Sequence, residues 1–111
     1  MLRSPKIEGV SQKKVNFGGQ IINVPAVVVG AFKAPNGKIY LPVTNWGKNK
    51  ETITGIDFSN CKWINLPYQI TIVRSDSYQD IGTFNTKRIS TDIKIDKGEA
   101  IFIVIENVFL E

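Results

Sequence analysis

A chain of 111 residues, 42% hydrophobic and 22% charged, is sized and composed for one globular domain, which excludes a disordered or fibrous polypeptide. Histidine is absent and Cys61 is the lone cysteine, so Ser-His-Asp and Cys-His catalysis, an internal disulfide framework and a zinc centre are excluded from the chain. The net charge of +4 and pI near 9.3 admit an anionic partner, but the lysines are scattered in no run longer than two, which argues against a nucleic-acid interface.

Residues 1–12 read as a linker or N-terminal extension, and residues 13–111 as the domain. No apolar run approaches the ~18 residues of a membrane helix, so no membrane partner is expected. The opening Met1-Leu2-Arg3-Ser4-Pro5-Lys6 lacks the apolar region of a signal peptide; any export signal is expected outside these residues.

Helical periodicity is nearly absent, and strand signals recur along the chain. Lys13 to Phe17 and Gln20 to Val24 flank Gly18-Gly19, which suits a tight hairpin turn. The run AVVVGAF, Ala26 to Phe32, predicts a strand, followed by Lys38 to Asn45. Between them lies Ala34-Pro35-Asn36-Gly37, where Pro presets a turn dihedral and Asn-Gly is expected to supply left-handed positions. Pro42 inside a strand pattern suggests an edge strand or a nitrogen that faces solvent.

Thr52 to Phe58 predicts the next strand. Ile53 and Ile56 differ in parity, so Gly55 is a candidate bulge. Tyr68 to Arg74 follows, then Arg88 to Ile95, whose Ile89, Thr91, Ile93 and Ile95 share one face. Asp96-Lys97-Gly98 turns the chain into Ala100 to Glu106. That last strand is apolar on both sides, with Phe102 and Val104 opposite Ile101, Ile103 and Ile105. Its outer side is therefore expected to lie under residues 1–12 or under another domain. About seven or eight such strands predict an all-β fold, a two-sheet antiparallel β-sandwich, with a barrel as the alternative.

The chemistry left to the chain is narrow. Asp76 and Asp80 flank a Ser-Tyr-Gln loop and form the carboxylate pair to inspect, but turn residues bonding their own backbone explain them, and too few oxygens are present for calcium. No phosphate-binding glycine loop is present. Cys61 reads as a small buried hydrophobe. These absences predict a chain that is not an enzyme by itself and that holds no cofactor or metal. Aromatics offer another route to a ligand: Trp46 beside Asn45, Trp63 beside Asn60 and Asn65, and Tyr78 beside Gln79 have the local composition of sugar-contacting loops. As the competing reading, Trp46 is a seam residue and Asn45 a backbone-bonding residue at a strand end.

The segments VPAVVVGAFKAPNGKIYLPVTNW, ETITGIDF, YQITIV and ISTDIKIDKGEAIFIVIE together resemble the carboxy-terminal β-sandwich of multidomain glycoside hydrolases, in which a catalytic (β/α)8 barrel is followed by a small all-β domain. MLRSPKIEGV is similar to the linker that leaves such a barrel. The resemblance implies a non-catalytic accessory domain packed on the barrel of the same parent protein, extracytoplasmic where the parent is secreted. The catalytic carboxylates of that group belong to the barrel, so none transfers here. A carbohydrate-binding module holding polysaccharide on Trp46, Trp63 or Tyr78 is the second expectation, and an immunoglobulin-like protein-interaction domain the third.

Overall fold

Strict alternation of side chains sorts these strands into an inner and an outer face. The structure, a computed structural model, describes residues 2–108. The order is β1 (Lys6–Glu8), β2 (Gln12–Phe17), β3 (Gln20–Pro25), β4 (Val27–Val29), β5 (Phe32–Lys33), β6 (Ile39–Asn45), β7 (Glu51–Asp57), β8 (Tyr68–Val73), β9 (Tyr78–Phe84), β10 (Arg88–Ile95) and β11 (Ala100–Asn107). A six-stranded sheet runs β4-β6-β11-β8-β9 with β5 also on β6, and a three-stranded sheet runs β1-β7-β10. All pairings are antiparallel. The inner faces meet in one core: Ile53, Ile56 and Ile93 from the smaller sheet pack against Leu41, Ile70 and Ile103 from the larger. The expected all-β sandwich is the fold, with more and shorter strands than the sequence suggested.

The ribbon β2–β3 joins neither sheet. Its turn is made by Gly18 and Gly19, whose φ of 58° and 88° lie in the left-handed region open to glycine. In the Ala34–Gly37 turn, by contrast, Gly37 alone has positive φ, and Asn36 instead accepts the Lys38 N–H on its side-chain oxygen at 3.0 Å.

Four expectations change. β6 is flanked by β4 and β5 on one side and β11 on the other, so Pro42 is not on an edge. In a strand a residue's N–H and C=O point to the same neighbour, and Gly30 N–H donates to the Pro42 oxygen at 2.9 Å. The donor that Pro42 lacks therefore falls opposite Gly30, where the predicted strand Ala26 to Phe32 divides into β4 and β5. Residues 6–8, read as part of an extension, pair with β7. They thus sit on the smaller sheet and do not cover the outer side of β11. The parity change between Ile53 and Ile56 is real, since both are fully buried. The irregularity falls on β10, however, whose register on β7 shifts between Ser90 and Ile93. Gly55, instead of bulging, admits close neighbours: an added Cβ would lie 2.7 Å from Glu8 Oε1 and 3.2 Å from the Ile89 oxygen.

The chain crosses from the smaller sheet to the larger through Asp96–Glu99. The Glu99 carboxylate accepts from Asp96 N and from Arg74 Nη1, both at 2.9 Å, and Arg74 Nη2 donates to the Lys94 oxygen at 2.8 Å. The Asp96 N–H first, and then the Arg74 guanidinium, hold the Glu99 carboxyl below its usual pKa. A depressed carboxyl stabilises the fold above its unfolded pKa of about 4.3, and that contribution is lost as pH falls through the folded value. Urea midpoints measured at neutral and acid pH should therefore fall less in Glu99→Gln than in the parent chain.

The two faces of β11 should respond differently to truncation. Ile103 is fully buried and Phe102 is 42% exposed. Ile103→Ala should lower the unfolding free energy by about 3–4 kcal/mol, and Phe102→Ala by about 1 kcal/mol or less, in urea titrations of the monomer.

Candidate functional site

Asn45 ends β6 on its inner side and is fully buried. Its amide nitrogen donates to the oxygens of Asn49 and Ile95 at 2.9 and 3.0 Å, and its side-chain oxygen accepts from Gly47 N at 3.0 Å. The amide is thus consumed in bracing the loop after β6 against the end of β10. Trp46 follows at the root of the ribbon. Its indole N–H donates to the Pro25 oxygen at 2.8 Å, and the Lys13 ammonium lies 4.1 Å from the ring centroid while donating to the Trp46 oxygen at 2.9 Å.

Trp63 closes the opposite end of the core. Its N–H donates to the Arg3 oxygen at 2.8 Å and its ring meets Phe58 edge-on at 5.9 Å. Cys61 is buried beside it with Sγ 3.4 Å from the same Arg3 oxygen, and burial pushes the thiol pKa up, away from a reactive thiolate. Tyr78 opens β9 and is 80% exposed. Trp46, Trp63 and Tyr78 make no ring contact with one another, so the aromatics singled out in the sequence are not gathered into one site.

The carboxylate pair is equally local. Asp80 accepts from Gln69 Nε2 at 2.5 Å and from Gly82 N at 3.0 Å, and Asp76 lies in the turn closed by Arg74 N and the Ser77 oxygen. Among the described residues no three His, Cys, Asp or Glu side chains cluster as metal ligands would.

The feature that does gather residues from several strands is the outer face of the larger sheet. Register places Pro42, Phe102, Val73 and Tyr78 in one row across β6, β11, β8 and β9. The next row runs Phe32, Tyr40, Val104, Thr71 and Asp80 across β5, β6, β11, β8 and β9. Phe32 and Tyr40 stack with centroids 5.5 Å apart and planes 14° from parallel, and Phe102 meets Tyr40 at 6.2 Å and 87°. These rings shelter Val104, which is 8% exposed although it points outward, while Phe32 and Phe102 stay 44% and 42% exposed. Thr71 and Asp80 interrupt the second row, so the exposed apolar surface is the run Phe32, Tyr40, Pro42, Phe102, Val73 and Tyr78, and a contiguous patch of this kind is often functional.

In this patch Phe32, Tyr40 and Phe102 pack on one another. A pyranose stacks on an open ring face. Here one face of Tyr40 is turned to Phe32, and the edge contact with Phe102 crowds the same ring. Such a self-packed ridge suits a shaped protein surface better than a sugar. Phe32 does not stand out in the sequence because it closes the apolar run read as one strand, Ala26 to Phe32. The clue that could have found it is the two-sided β11, whose outer residues need neighbours.

Comparison of the chain with protein-family models, with curated proteins and with solved structures finds no match.

Replacing the braces separates sandwich from ribbon. Asn45→Ala leaves buried backbone groups unpaired and should lower stability by about 3 kcal/mol in urea titration. Trp46→Phe should change sandwich stability by about 1 kcal/mol or less, yet speed deuterium exchange of the amides of Lys13 to Val24 several-fold.

Proposed function

We propose that this chain is a non-catalytic accessory β-sandwich domain of a carbohydrate-active enzyme, packing on a catalytic barrel through the outer face of its larger sheet. The observation that carries the docking role is the uncovered aromatic ridge of Phe32, Tyr40 and Phe102, extended along β8 and β9 by Val73 and Tyr78. A monomer gains nothing from keeping such a ridge in water, and a second folded domain laid on it would remove that exposure. The identity of the partner as a barrel is supported by the resemblance of the strand and hairpin segments to glycoside hydrolase carboxy-terminal domains.

Engagement of the Trp46 and Trp63 indole N–H groups with backbone oxygens favours docking over glycan capture. One observation favours the second reading, a carbohydrate-binding module: Tyr78 is 80% exposed and shares the outer face with Asp80 and Gln69, the polar companions a sugar requires.

The test begins with the coding sequence on either side of these residues, which should encode a catalytic barrel. In the joined polypeptide, Phe102→Asp should uncouple the two domains, so that one melting transition becomes two and the connecting segment becomes protease-sensitive. Absence of any neighbouring catalytic domain would falsify the reading. Calorimetric titration of the chain with a glycan panel should give no heat; heat abolished by Tyr78→Ala would install the binding module in its place.

A further inference from the structure

Opposite residues in an antiparallel ribbon share a face, and successive pairs alternate between its two sides. From root to tip, one side of β2–β3 therefore runs Lys13–Val24, Val15–Ile22, Phe17–Gln20, and the other Gln12–Pro25, Lys14–Asn23, Asn16–Ile21. Each side thus carries a lysine near the root and a large apolar residue near the turn. Phe17 is 71% exposed, Ile21 72% and Ile22 41%. The gradient runs along the ribbon, from charged root to apolar tip, and not from one side to the other. A flat protein partner covers one side of such a ribbon, whereas a tip apolar on both sides leaves water fully only in a medium that surrounds it.

The root fixes the ribbon to the sandwich and gathers positive charge. Trp46 Nε1 donates to the Pro25 oxygen, Ala26 N donates to the Ser11 oxygen at 2.8 Å, and Ser11 N donates to Glu51 Oε1 at 2.6 Å. Residues 9–50 hold six lysines and no carboxylate. Lys13, Lys14 and Lys48 border one hollow at the root, and among the described residues none of the three is paired with a carboxylate. The one carboxylate in that hollow, Glu51, is buried and engaged by Ser11 N. The molecule measures 56 Å along its longest axis against 30 and 26 Å across, the proportions of a sandwich bearing an arm.

We propose that the ribbon is a membrane finger: its Phe17–Ile22 tip dips into the interfacial layer of a bilayer while Lys13, Lys14 and Lys48 meet anionic lipid headgroups. The dimensions agree. At about 3.4 Å per residue, Lys14 and Lys13 stand about 10 and 14 Å behind Phe17. The interfacial layer of one leaflet is about 5–8 Å thick, so a tip at its base leaves both ammonium groups at headgroup level or just above. Both long edges of the ribbon carry backbone groups with no strand beside them. Water and headgroups satisfy these groups in the interface and hydrocarbon does not, which stops the finger at a shallow depth. So small an apolar tip suffices because each lysine near an anionic surface adds about fivefold in affinity. The expectation of no membrane partner rested on the lack of a spanning segment. No helix among the described residues is long and apolar enough to cross, and a finger that stops at the interface needs none.

This contact uses a different surface from the aromatic ridge and does not rest on the accessory-domain reading. The whole chain should float with phosphatidylcholine vesicles containing about 30% phosphatidylserine, and bind vesicles of phosphatidylcholine alone at least about tenfold more weakly. Binding should fall as salt rises from about 0.05 to about 0.5 M. Phe17→Ser and Ile21→Ser, on opposite sides of the tip, should each weaken it at least about fivefold. Both side chains are exposed, so thermal unfolding should not change. Lys14→Glu should also weaken binding, and Phe102→Ser, on the ridge, should leave it intact. A chain that floats with neither vesicle overturns the proposal, as does binding that survives both tip substitutions. Loss in Phe17→Ser with none in Ile21→Ser marks a one-sided contact and overturns insertion. A dimer in sedimentation velocity that Phe17→Ser disperses, without vesicle binding, assigns the tip to a second copy and overturns the lipid surface.

Discussion

The seating of β11 between β6 and β8 is the constraint on which the other features depend. Its inward Ile101, Ile103 and Ile105 are buried against the smaller sheet. Because side chains alternate, a slip of one residue would turn these three outward and bring Phe102 and Glu106 inward. The two ends of the pairing with β6 are marked by polar neighbours. Thr44 faces Ala100 at one end, and Lys38 approaches Glu106 at the other, with Nζ 3.7 Å from the carboxylate. Just before β11, Asn45 N donates to the Glu99 oxygen and Gly98 N donates to the Asn45 oxygen, so the backbone of Asn45 holds the turn that delivers the strand. Its side chain holds Ile95, the last residue of β10. One residue thus ties both sides of the crossover between sheets, which gives a physical reason for a fully buried amide in a core of Ile and Val.

Pro42 shapes the outer face from within the same sheet. The donor it lacks interrupts the ladder opposite Gly30 but does not change the alternation, so Val28 and Phe32 both remain on the outward side, facing Thr44 and Tyr40. A continuous strand would have been held along its whole length, whereas β5 is a short edge piece whose Phe32 leans on Tyr40. Gly30 keeps that row open, since a Cβ there would stand 3.2 Å from Pro42 Cγ. The ridge therefore follows from backbone hydrogen bonding as much as from the apolar residues themselves.

Period-two patterning made the faces of β10 and β11 legible in the sequence, because each strand is long enough to show several alternations and its inward isoleucines are buried. It failed where geometry interrupts the period. β9 contains Tyr78, Ile81 and Phe84, which do not alternate, and its register on β8 shifts between Ile70 and Thr71, leaving Ile81 unpaired. β1 has three residues, too few for a pattern. The same limit applies to the candidate site. That β11 needed cover outside was readable from Phe102 and Val104. That residues 6–8 would instead join β7 was not, since pairing over so long a sequence separation leaves no local trace. Trp46 is similar: its partners Pro25 and Lys13 are 21 and 33 residues away.

The ribbon and the ridge differ in how they relate to the core. The ridge shares its strands with the buried face: β11 carries Phe102 and Ile103 side by side, so disturbing the backbone there disturbs the sandwich. The ribbon contributes no side chain to the core cluster, and it meets the sandwich through the Trp46, Ser11 and Ala26 contacts at its root. Its order is therefore governed by that root and by whatever covers its apolar side, and the sandwich can fold whether or not the ribbon is docked. The order of the ribbon and the packing of the ridge are then separable in energy. Substitutions far from the root at one surface should leave the stability of the other unchanged, as expected of distant sites that share no contact.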